Sequence, residues 1–321
     1  MQDKLISKSD KIFVAGHNGM AGNAIKKNLI KKGYLNVIFE DRTNLDLSNF
    51  KNVSKWFLKE RPDVVILAAA KVGGILANNN YPADFLLQNL KIQSNVIEAS
   101  FKSDVKRFLF LGSSCIYPKF ANQPIKEEYL LEGQLENTNE WYAIAKIAGI
   151  KLCDALRIQN GFDAVSIMPT NLYGPGDNFD LRTSHVLPAL IRKFYESKIN
   201  GDDSVVCWGS GNPKREFLHV EDLADAAIFV LESFKPFWIK DRLISYLNIG
   251  TGLDISIKQL ALKIGNYLDY KGSIKWDKSK PDGTPLKKLD VSRLEKLGWK
   301  ANISLDEGLK NTIKYYEKKY G

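Results

Sequence analysis

The chain has 321 residues, 44% of them hydrophobic and 26% charged, which is enough for one large or two modest globular domains. Its formal net charge of +9 comes from scattered basic residues, and the dense stretches are short, such as Lys287–Lys288 and Lys318–Lys319. Without a basic stripe, this distribution argues against nucleic-acid binding and suits an anionic diphosphate ligand.

The cysteines and the apolar segments indicate a cellular compartment. Cys115, Cys153 and Cys207 are odd in number and widely spaced, which fits a reducing compartment and neither a disulfide framework nor a metal site. Residues 1–11 carry no apolar signal core, and the apolar stretch 64–77 is interrupted by a lysine and two glycines. We therefore expect a cytoplasmic protein without a membrane segment.

Strands alternate with helices through the first half of the chain. In chain order the pattern predicts strand Lys11–Ala15, helix Met20–Lys32, strand Asn36–Phe39, helix Phe50–Lys59, strand Asp63–Leu67, helix Ala83–Phe101, strand Arg107–Leu111, helix Glu140–Gln159 and strand Ala164–Met168. This alternation is typical of parallel βαβ units in a doubly wound α/β sheet of the Rossmann type.

After Thr170 the alternation loosens, and Gly, Pro, Asn and Asp cluster in several places. We expect a smaller mixed α/β substrate domain, rich in loops and helices, at the carboxyl edge of the sheet, where such folds bind ligands. The predicted boundaries place 1–175 and about 215–252 in the dinucleotide-binding domain, and about 176–214 and 253–321 in the substrate domain.

Three glycines spaced three residues apart separate the first strand from its helix. Gly16 allows a tight turn, Gly19 lets the backbone approach a pyrophosphate, and Gly22 allows close packing of helix and strand. The helix that begins at Met20 then offers N–H donors and a favourable dipole to an anion. The turn predicts a dinucleotide cofactor.

The end of the second strand decides which nicotinamide cofactor is bound. Arg42 could pair with a 2′-phosphate, whereas Glu40 or Asp41 could accept a hydrogen bond from a 2′-hydroxyl. A carboxylate ~4 Å from a phosphate costs roughly 1 to 4 kcal/mol per unit charge. Both alternatives, NADP(H) and NAD(H), stay open on these residues.

Tyr142 and Lys146 lie four residues apart in a predicted helix and so project from one face. Ser113 follows the strand Arg107–Leu111. A phenol with a pKa near ~10 needs a nearby cation to exchange protons at neutral pH, and Lys146 supplies one. Ser113, Tyr142 and Lys146 together resemble the catalytic set of the short-chain dehydrogenase/reductase superfamily.

Further motifs narrow the resemblance. In chain order they are Leu111–Pro118, Met168–Pro175, Ser184–Leu190, Trp208–Gly211, Arg215–Val220 and Lys280–Pro285. This set, spread over nearly the whole chain, closely resembles the GDP-L-fucose synthase family, whose members are 3,5-epimerases and 4-reductases of GDP-4-keto-6-deoxymannose. The related 4,6-dehydratases have a Thr, Asp and Glu run where this chain has Cys115.

The resemblance implies roles for Cys115 and His185. A keto group at C4 acidifies the protons on C3 and C5, so epimerisation needs a base on one face and an acid on the other. Cys115 suits the base, because a thiol is readily tuned toward thiolate, and His185 suits the acid, because imidazole titrates near neutrality. Tyr142 would then protonate the C4 oxygen while Ser113 holds it.

The resemblance also implies binding residues. For the cofactor they are Gly16, Asn18, Gly19, Met20, Gly22, Arg42, Ala69, Leu111, Lys146, Pro169, Asn171, Leu172 and His185. For the substrate they are Asn171, Lys193, Trp208, Arg215 and Asp282. For Asp282, the alternative to a contact with a sugar hydroxyl is a turn-forming Asp-Gly. His219 lies on a predicted strand, and we expect its role to be structural.

One position departs from the family pattern. The glycine turn of the family usually carries an Arg, which contacts the 2′-phosphate of NADP, where this chain has Asn18. NADP(H) is the cofactor that the resemblance implies, and NAD(H) is the alternative that Asn18, Glu40 and Asp41 open.

Two rival functions remain. One keeps the chemistry but uses another GDP-4-keto sugar, such as a GDP-6-deoxy-4-keto-heptose. The other is a non-catalytic nucleotide-sensing protein of this fold, against which the intact catalytic residues argue. The family also implies a homodimer, formed through the helices Ala83–Phe101 and Glu140–Gln159.

Overall fold

The computed structural model describes residues 4–280 and 282–321. Met1–Asp3 of the polar N-terminal stretch, and Pro281 of the Lys280–Pro285 motif, lie outside the described residues. The strands are β1 Lys11–Ala15, β2 Asn36–Ile38, β3 Val64–Leu67, β4 Arg107–Leu111, β5 Ala164–Pro169, β6 Asn171–Tyr173, β7 Ser204–Trp208, β8 Lys214–His219, β9 Phe237–Ile239, β10 Arg242–Ile244, β11 Tyr246–Ile249, β12 Asp254–Ser256, β13 Ser273–Asp277 and β14 Leu286–Lys287. The helices are α1 Met20–Lys31, α2 Phe50–Glu60, α3 Ile75–Asn80, α4 Pro82–Lys102, α5 Glu140–Asn160, α6 Val186–Asn200, α7 Val220–Ser233, α8 Ile257–Tyr267, α9 Ser292–Lys296 and α10 Leu305–Tyr320.

Six parallel strands form the main sheet in the order β11-β5-β4-β3-β1-β2. The predicted doubly wound parallel sheet is therefore confirmed. The chain runs from β1 outward to β2 and then returns to the other side of β1 with β3. This reversal is the switch point at which such sheets bind ligands.

Side chains alternate between the two faces of the sheet, as the period of a strand requires. Phe13 and Ala15 of β1 pack in the core that also contains residues of α2, α4 and α5, whereas Ile12 and Val14 pack toward α1 and α7. Both faces are thus covered by helices, which explains why the strands are apolar almost throughout.

The predicted elements of the first half differ from the observed ones by one residue at some ends. The second strand ends at Ile38 instead of Phe39, because the ring of Phe39 turns onto His17, with 4.6 Å between ring centroids. Helix α3 was not predicted, since six residues are too few to set an apolar period.

The second region contains more strands than the loosened pattern suggested. Strand β8 pairs with β6, β12 and β14, and β7 pairs with β13. Residues of β7, α6, α8 and α10 form a third hydrophobic core, in addition to the two on the faces of the main sheet. Several of these strands have only two or three residues, so their hydrophobic alternation is too short to detect from the sequence. The division into two domains stays a prediction.

Two properties of the described residues bear on the cellular setting. None of their helices is both long and apolar enough to cross a bilayer. Cys115, Cys153 and Cys207 are all buried and free of disulfides.

Candidate active site

The glycine turn lies at the switch point of the sheet. Gly16 has φ +93°, and a Cβ there would meet the backbone N of Ala69, just past β3, at 2.5 Å. A Cβ on Gly22 would meet the carbonyl O of Gly16 at 2.2 Å. Helix α1 begins after Gly19 without a side-chain cap and without an acidic residue in its first turn. Its first N–H groups therefore remain available to an anion, as a dinucleotide requires.

The segment that follows β2 contacts the glycine turn through Asp41. The Asn18 side-chain amide donates a hydrogen bond to Asp41 Oδ1 at 2.7 Å, and His17 Nε2 lies 3.4 Å from the same oxygen. Glu40 instead faces Asn44 Nδ2, at 3.3 Å. Of the two carboxylates that the sequence left open, Asp41 is the one beside the glycine turn.

The remaining predicted cofactor residues follow neighbouring strands at the same carboxyl edge. Ala69 follows β3, Leu111 ends β4 and Pro169 ends β5. Asn171 and Leu172 lie on β6, directly after β5. Because adjacent parallel strands end together, these residues share one edge with the glycine turn, and the set fits a dinucleotide cofactor.

Tyr142 and Lys146 lie on α5 and face the end of β4. The Lys146 ammonium donates a hydrogen bond to the carbonyl O of Leu111 at 2.7 Å and lies 5.7 Å from the centre of the Tyr142 ring. Burial lowers the pKa of Lys146 to about 8, while Cys115 acts in the opposite direction. Burial raises the pKa of Tyr142, and Cys115 raises it further.

Ser113 and Cys115 form the turn after β4. Cys115 is 6% exposed, and its backbone N–H donates to Ser113 Oγ at 3.3 Å. Burial raises the pKa of the Cys115 thiol above its usual value, and Lys287, the Ser113 hydroxyl and Lys146 offset this rise only in part. The structure thus brings Ser113, Cys115, Tyr142 and Lys146 together.

His185 precedes α6 and is held in place by the loop that follows β3. The N–H of Gly74 donates to the carbonyl O of Thr183 at 2.8 Å, and a Cβ on Gly74 would meet the carbonyl O of Ser184 at 2.4 Å. The His185 side chain is accessible to solvent, but the protein around it lowers the imidazole pKa, and Lys287 lowers it further.

The predicted substrate residues of the second region carry positive charge around an aromatic ring. Trp208 is 47% exposed, and the ammonium groups of Lys193 and Lys280 lie 5.3 and 5.5 Å from its ring centre. Arg215 on β8 donates to the carbonyl oxygens of Lys214 and Thr284. These cations suit a diphosphate, although Lys193 also donates to a backbone carbonyl at 2.9 Å.

Asp282 is already engaged within the protein. Its Oδ1 accepts a hydrogen bond from the Ser210 N–H, and its Oδ2 accepts one from the Ser210 hydroxyl, both at 2.7 Å. These contacts join two distant loops, and the positive φ of Gly283 (+71°) is the feature that suits the turn-forming alternative. A carboxylate can accept further hydrogen bonds, so the sugar-hydroxyl role of Asp282 stays a prediction.

Two further residues matter that the motifs did not identify. Lys287 had been noticed only as part of a basic pair, but it lines a cavity together with Cys115, Glu136, Asn139 and Thr284. Only the pairing of β14 with β8 brings it there, which no local spacing could have indicated.

The other residue is Glu216, next to Arg215. It is fully buried, and its carboxylate accepts backbone N–H groups of Thr251, Gly252 and Leu289 at 2.6, 2.8 and 2.8 Å. It therefore joins three segments around β8. His219, at the end of β8, is buried and accepts the Glu221 N–H at 3.3 Å, which matches the structural role predicted for it.

Comparisons with known proteins agree with this geometry. The model of the NAD dependent epimerase/dehydratase family matches residues 12–241. GDP-L-fucose synthase 1 of Arabidopsis thaliana is 54% identical over 97% of this chain and 94% of its own. GDP-L-fucose synthase of Escherichia coli is 52% identical over 95% of this chain and 96% of its own. A Campylobacter jejuni GDP-mannoheptose C4 reductase, solved with NADP bound, superposes with a TM-score of 0.87 at 38% identity, covering 97% of this chain and 99% of its own.

Proposed function

The chain belongs to the NAD dependent epimerase/dehydratase family, in the branch of the GDP-L-fucose synthases, and from that premise we propose that it converts GDP-4-keto-6-deoxy-D-mannose to GDP-L-fucose. The activity combines a 3,5-epimerase with a nicotinamide-dependent 4-reductase. The observation that carries the proposal is that a buried thiol, Cys115, lies in the same site as the Tyr142–Lys146 pair. A plain ketoreductase needs the pair and has no use for the thiol.

The reductive half uses residues of β4 and α5. Bound NADPH supplies a hydride to C4. Tyr142 donates its phenolic proton to the C4 oxygen, and Ser113 holds that oxygen with its hydroxyl. The Lys146 ammonium is fixed by the carbonyl of Leu111, 5.7 Å from the centre of the Tyr142 ring, where its charge would stabilise the phenolate left after proton donation.

The epimerising half uses groups on two segments. The Cys115 thiolate removes the proton from C3 or C5, so the C–H bond breaks, an S–H bond forms and the electron pair moves toward the C4 oxygen. The protonated His185 then returns a proton to the opposite face of that carbon. Inversion requires the two groups to act on opposite faces of the ring, and they are carried by different segments, the turn after β4 and the loop before α6.

We propose NADP(H) as the cofactor, held by the glycine turn, Arg42, Lys146 and the residues that follow β3, β4 and β5. The NADP bound to the C. jejuni reductase supports this choice. The hydrogen bond between Asn18 and Asp41 favours acceptance of NAD(H) as well, because it fixes a carboxylate beside the site of the adenosine ribose.

A second candidate substrate is a GDP-4-keto-heptose. The likeness to the C. jejuni reductase favours it, and the cations around Trp208 would contact the GDP that both substrates share. The synthases that are more than half identical to this chain favour the fucose precursor.

Assembly and location are part of the proposal. Leu87 on α4, with Trp141 and Ile144 on α5, exposes apolar surface on two helices that pack together. This surface supports the expected homodimer, and the free cysteines support the expected cytoplasmic location. Sedimentation of the purified protein would show a species of twice the chain mass.

The direct test mixes the protein with GDP-4-keto-6-deoxymannose and either NADPH or NADH, follows nicotinamide absorbance and identifies the product. We expect cofactor oxidation and GDP-L-fucose. A GDP-4-keto-heptose serves as the competing substrate, and we expect it to react with lower kcat/KM. Absence of oxidation with either cofactor and the fucose precursor would refute the proposal.

A further inference from the structure

The cavity beside Cys115 contains a lysine to which the proposed mechanism gives no role. Lys287 lines this cavity with Cys115, Glu136, Asn139 and Thr284. Its ammonium group makes no hydrogen bond or ion pair with any residue of 4–280 or 282–321. The Lys287 side chain is half-buried, and an ammonium that loses part of its hydration without gaining a partner is costly, so such a group is rarely kept without a function.

Backbone contacts on both sides of the β14 segment hold Lys287 beside Cys115. On one side β14 pairs with β8, so that Lys287 lies opposite Arg215. On the other side the N–H of Ile125 donates to the carbonyl O of Lys288 at 2.8 Å, and Leu289 forms a bridge with Ile125. Ile125 belongs to the segment that continues from Cys115 and lines the same cavity.

The other charges nearby are already engaged. The Lys119 ammonium binds Glu136 Oε2 at 3.0 Å, and Arg215 donates to the carbonyl oxygens of Lys214 and Thr284. Lys146, on the far side of Cys115, donates to Leu111. Of these four cations, Lys287 is the one whose ammonium has no hydrogen bond or ion pair among the described residues.

We propose that Lys287 is a positioning residue of the epimerisation step, whose ammonium charge favours the thiolate form of Cys115. This inference rests on the proposed role of Cys115 as the base. The effects of neighbouring charges on the pKa values of Cys115 and Lys287 agree with this proposal. Lys287 comes first among the influences that lower the Cys115 pKa, ahead of the Ser113 hydroxyl and Lys146.

Cys115 acts in turn on the pKa of Lys287, and Lys287 also acts on the pKa of His185. Burial lowers the pKa of Lys287 to about 8, Cys115 and Glu136 act to raise it, and Arg215 lowers it further. Lys287 also lowers the pKa of His185, which makes its protonated form a stronger acid. One cation thus favours the thiolate of the base and makes the protonated acid stronger, while it reduces the protonated fraction of His185 at neutral pH.

The test measures the ionisation of Cys115 without any sugar nucleotide, so its outcome does not depend on the proposed substrate. The rate of alkylation of Cys115 by iodoacetamide, followed by mass spectrometry of its peptide, is recorded against pH. In Lys287→Met we expect the apparent thiol pKa to rise by about one unit, which lowers the alkylation rate about tenfold below that pKa. Lys287→Arg should restore most of the rate, because it restores the charge.

Lys288→Met is the matched control, since the neighbouring Lys288 ammonium pairs with the Asp254 carboxylate at 3.5 Å. It should leave the profile unchanged. Binding of NADPH to each variant verifies folding, and Lys287→Gln replaces Lys287→Met if that variant does not fold. An unchanged profile in the folded neutral variant, or the same shift in Lys288→Met, would overturn the proposal.

Discussion

Two lysines, one from each region of the molecule, act on the same thiol in different ways, and Lys146 is buried whereas Lys287 is half-buried. Lys146 comes from α5 of the main sheet region, and Lys287 comes from β14 of the second region. Burial lowers the pKa of each to about 8, and Cys115 opposes the shift in each case. Lys146 is anchored by a hydrogen bond to the carbonyl of Leu111, whereas no described residue accepts a hydrogen bond from Lys287.

This difference separates two chemical tasks. An anchored ammonium keeps a fixed distance to Tyr142 and serves the transfer of a hydride and a proton at C4. An unanchored ammonium acts through its charge alone and serves the removal of protons at C3 and C5. The account therefore predicts that the two halves of the reaction can be disabled independently.

The largest effect is expected for Tyr142→Phe, which removes the proton donor of the first region. Reduction should fall about 10²- to 10⁴-fold, because general acid catalysis contributes that much. Exchange of solvent deuterium into C3 and C5 should continue, since Cys115 and His185 are intact. Single-turnover reduction and mass spectrometry of the sugar nucleotide measure the two steps. Loss of both together would contradict the independence of the halves.

Glu216→Gln disturbs the second region where it meets the turn after β11 of the main sheet. The buried carboxylate accepts three backbone N–H groups, and an amide would turn a donor toward at least one of them. We expect the free energy of unfolding in urea to fall by about 1 to 3 kcal/mol.

The control for Glu216→Gln is Asp254→Asn. The Asp254 carboxylate forms more open ion pairs with Lys214 and Lys288, at 3.6 and 3.5 Å. A loss of about 1 kcal/mol or less is expected there. Equal losses of unfolding free energy in the two variants would contradict the inference that the Glu216 carboxylate joins these segments.

The smallest effect concerns cofactor choice in the first region. In Asp41→Asn we expect the affinity for 2′,5′-ADP to rise about three- to tenfold relative to 5′-AMP, because a negative charge beside the 2′-phosphate is removed. Calorimetry measures both ligands without turnover.

Glu40→Gln is the control for cofactor choice, since Glu40 faces Asn44 and not the glycine turn. It should change the ratio of the two affinities much less. An unchanged ratio in Asp41→Asn would show that this carboxylate does not discriminate between the cofactors.

The first region could be predicted from the sequence because its features are local. The glycine turn, the Tyr142–Lys146 spacing and the alternation of strands and helices each lie within about one βα unit. The choice between Glu40 and Asp41 could not be predicted, because it depends on how the chain turns after β2. The structure resolves it through the hydrogen bond from Asn18.

The second region depended on contacts between distant segments. Lys287 reaches Cys115 only because β14 lies between β8 and the Ile125 segment. Likewise, Glu216 follows Arg215 in a recognised motif, but its carboxylate is explained only by the backbone N–H of Leu289, two residues after β14, and by those of the turn after β11. Short strands and tertiary hydrogen bonds of this kind leave no periodic signal in the sequence.

The central claim is that Cys115 removes the protons while Tyr142 and Lys146 serve the hydride transfer. The most direct measurement is the deuterium content at C3 and C5 of the sugar nucleotide after incubation in heavy water with Cys115→Ser. The account predicts that exchange is lost at both carbons while NADPH still binds as it does to the unmodified enzyme. Exchange that proceeds in Cys115→Ser at the rate of the unmodified enzyme would contradict the account.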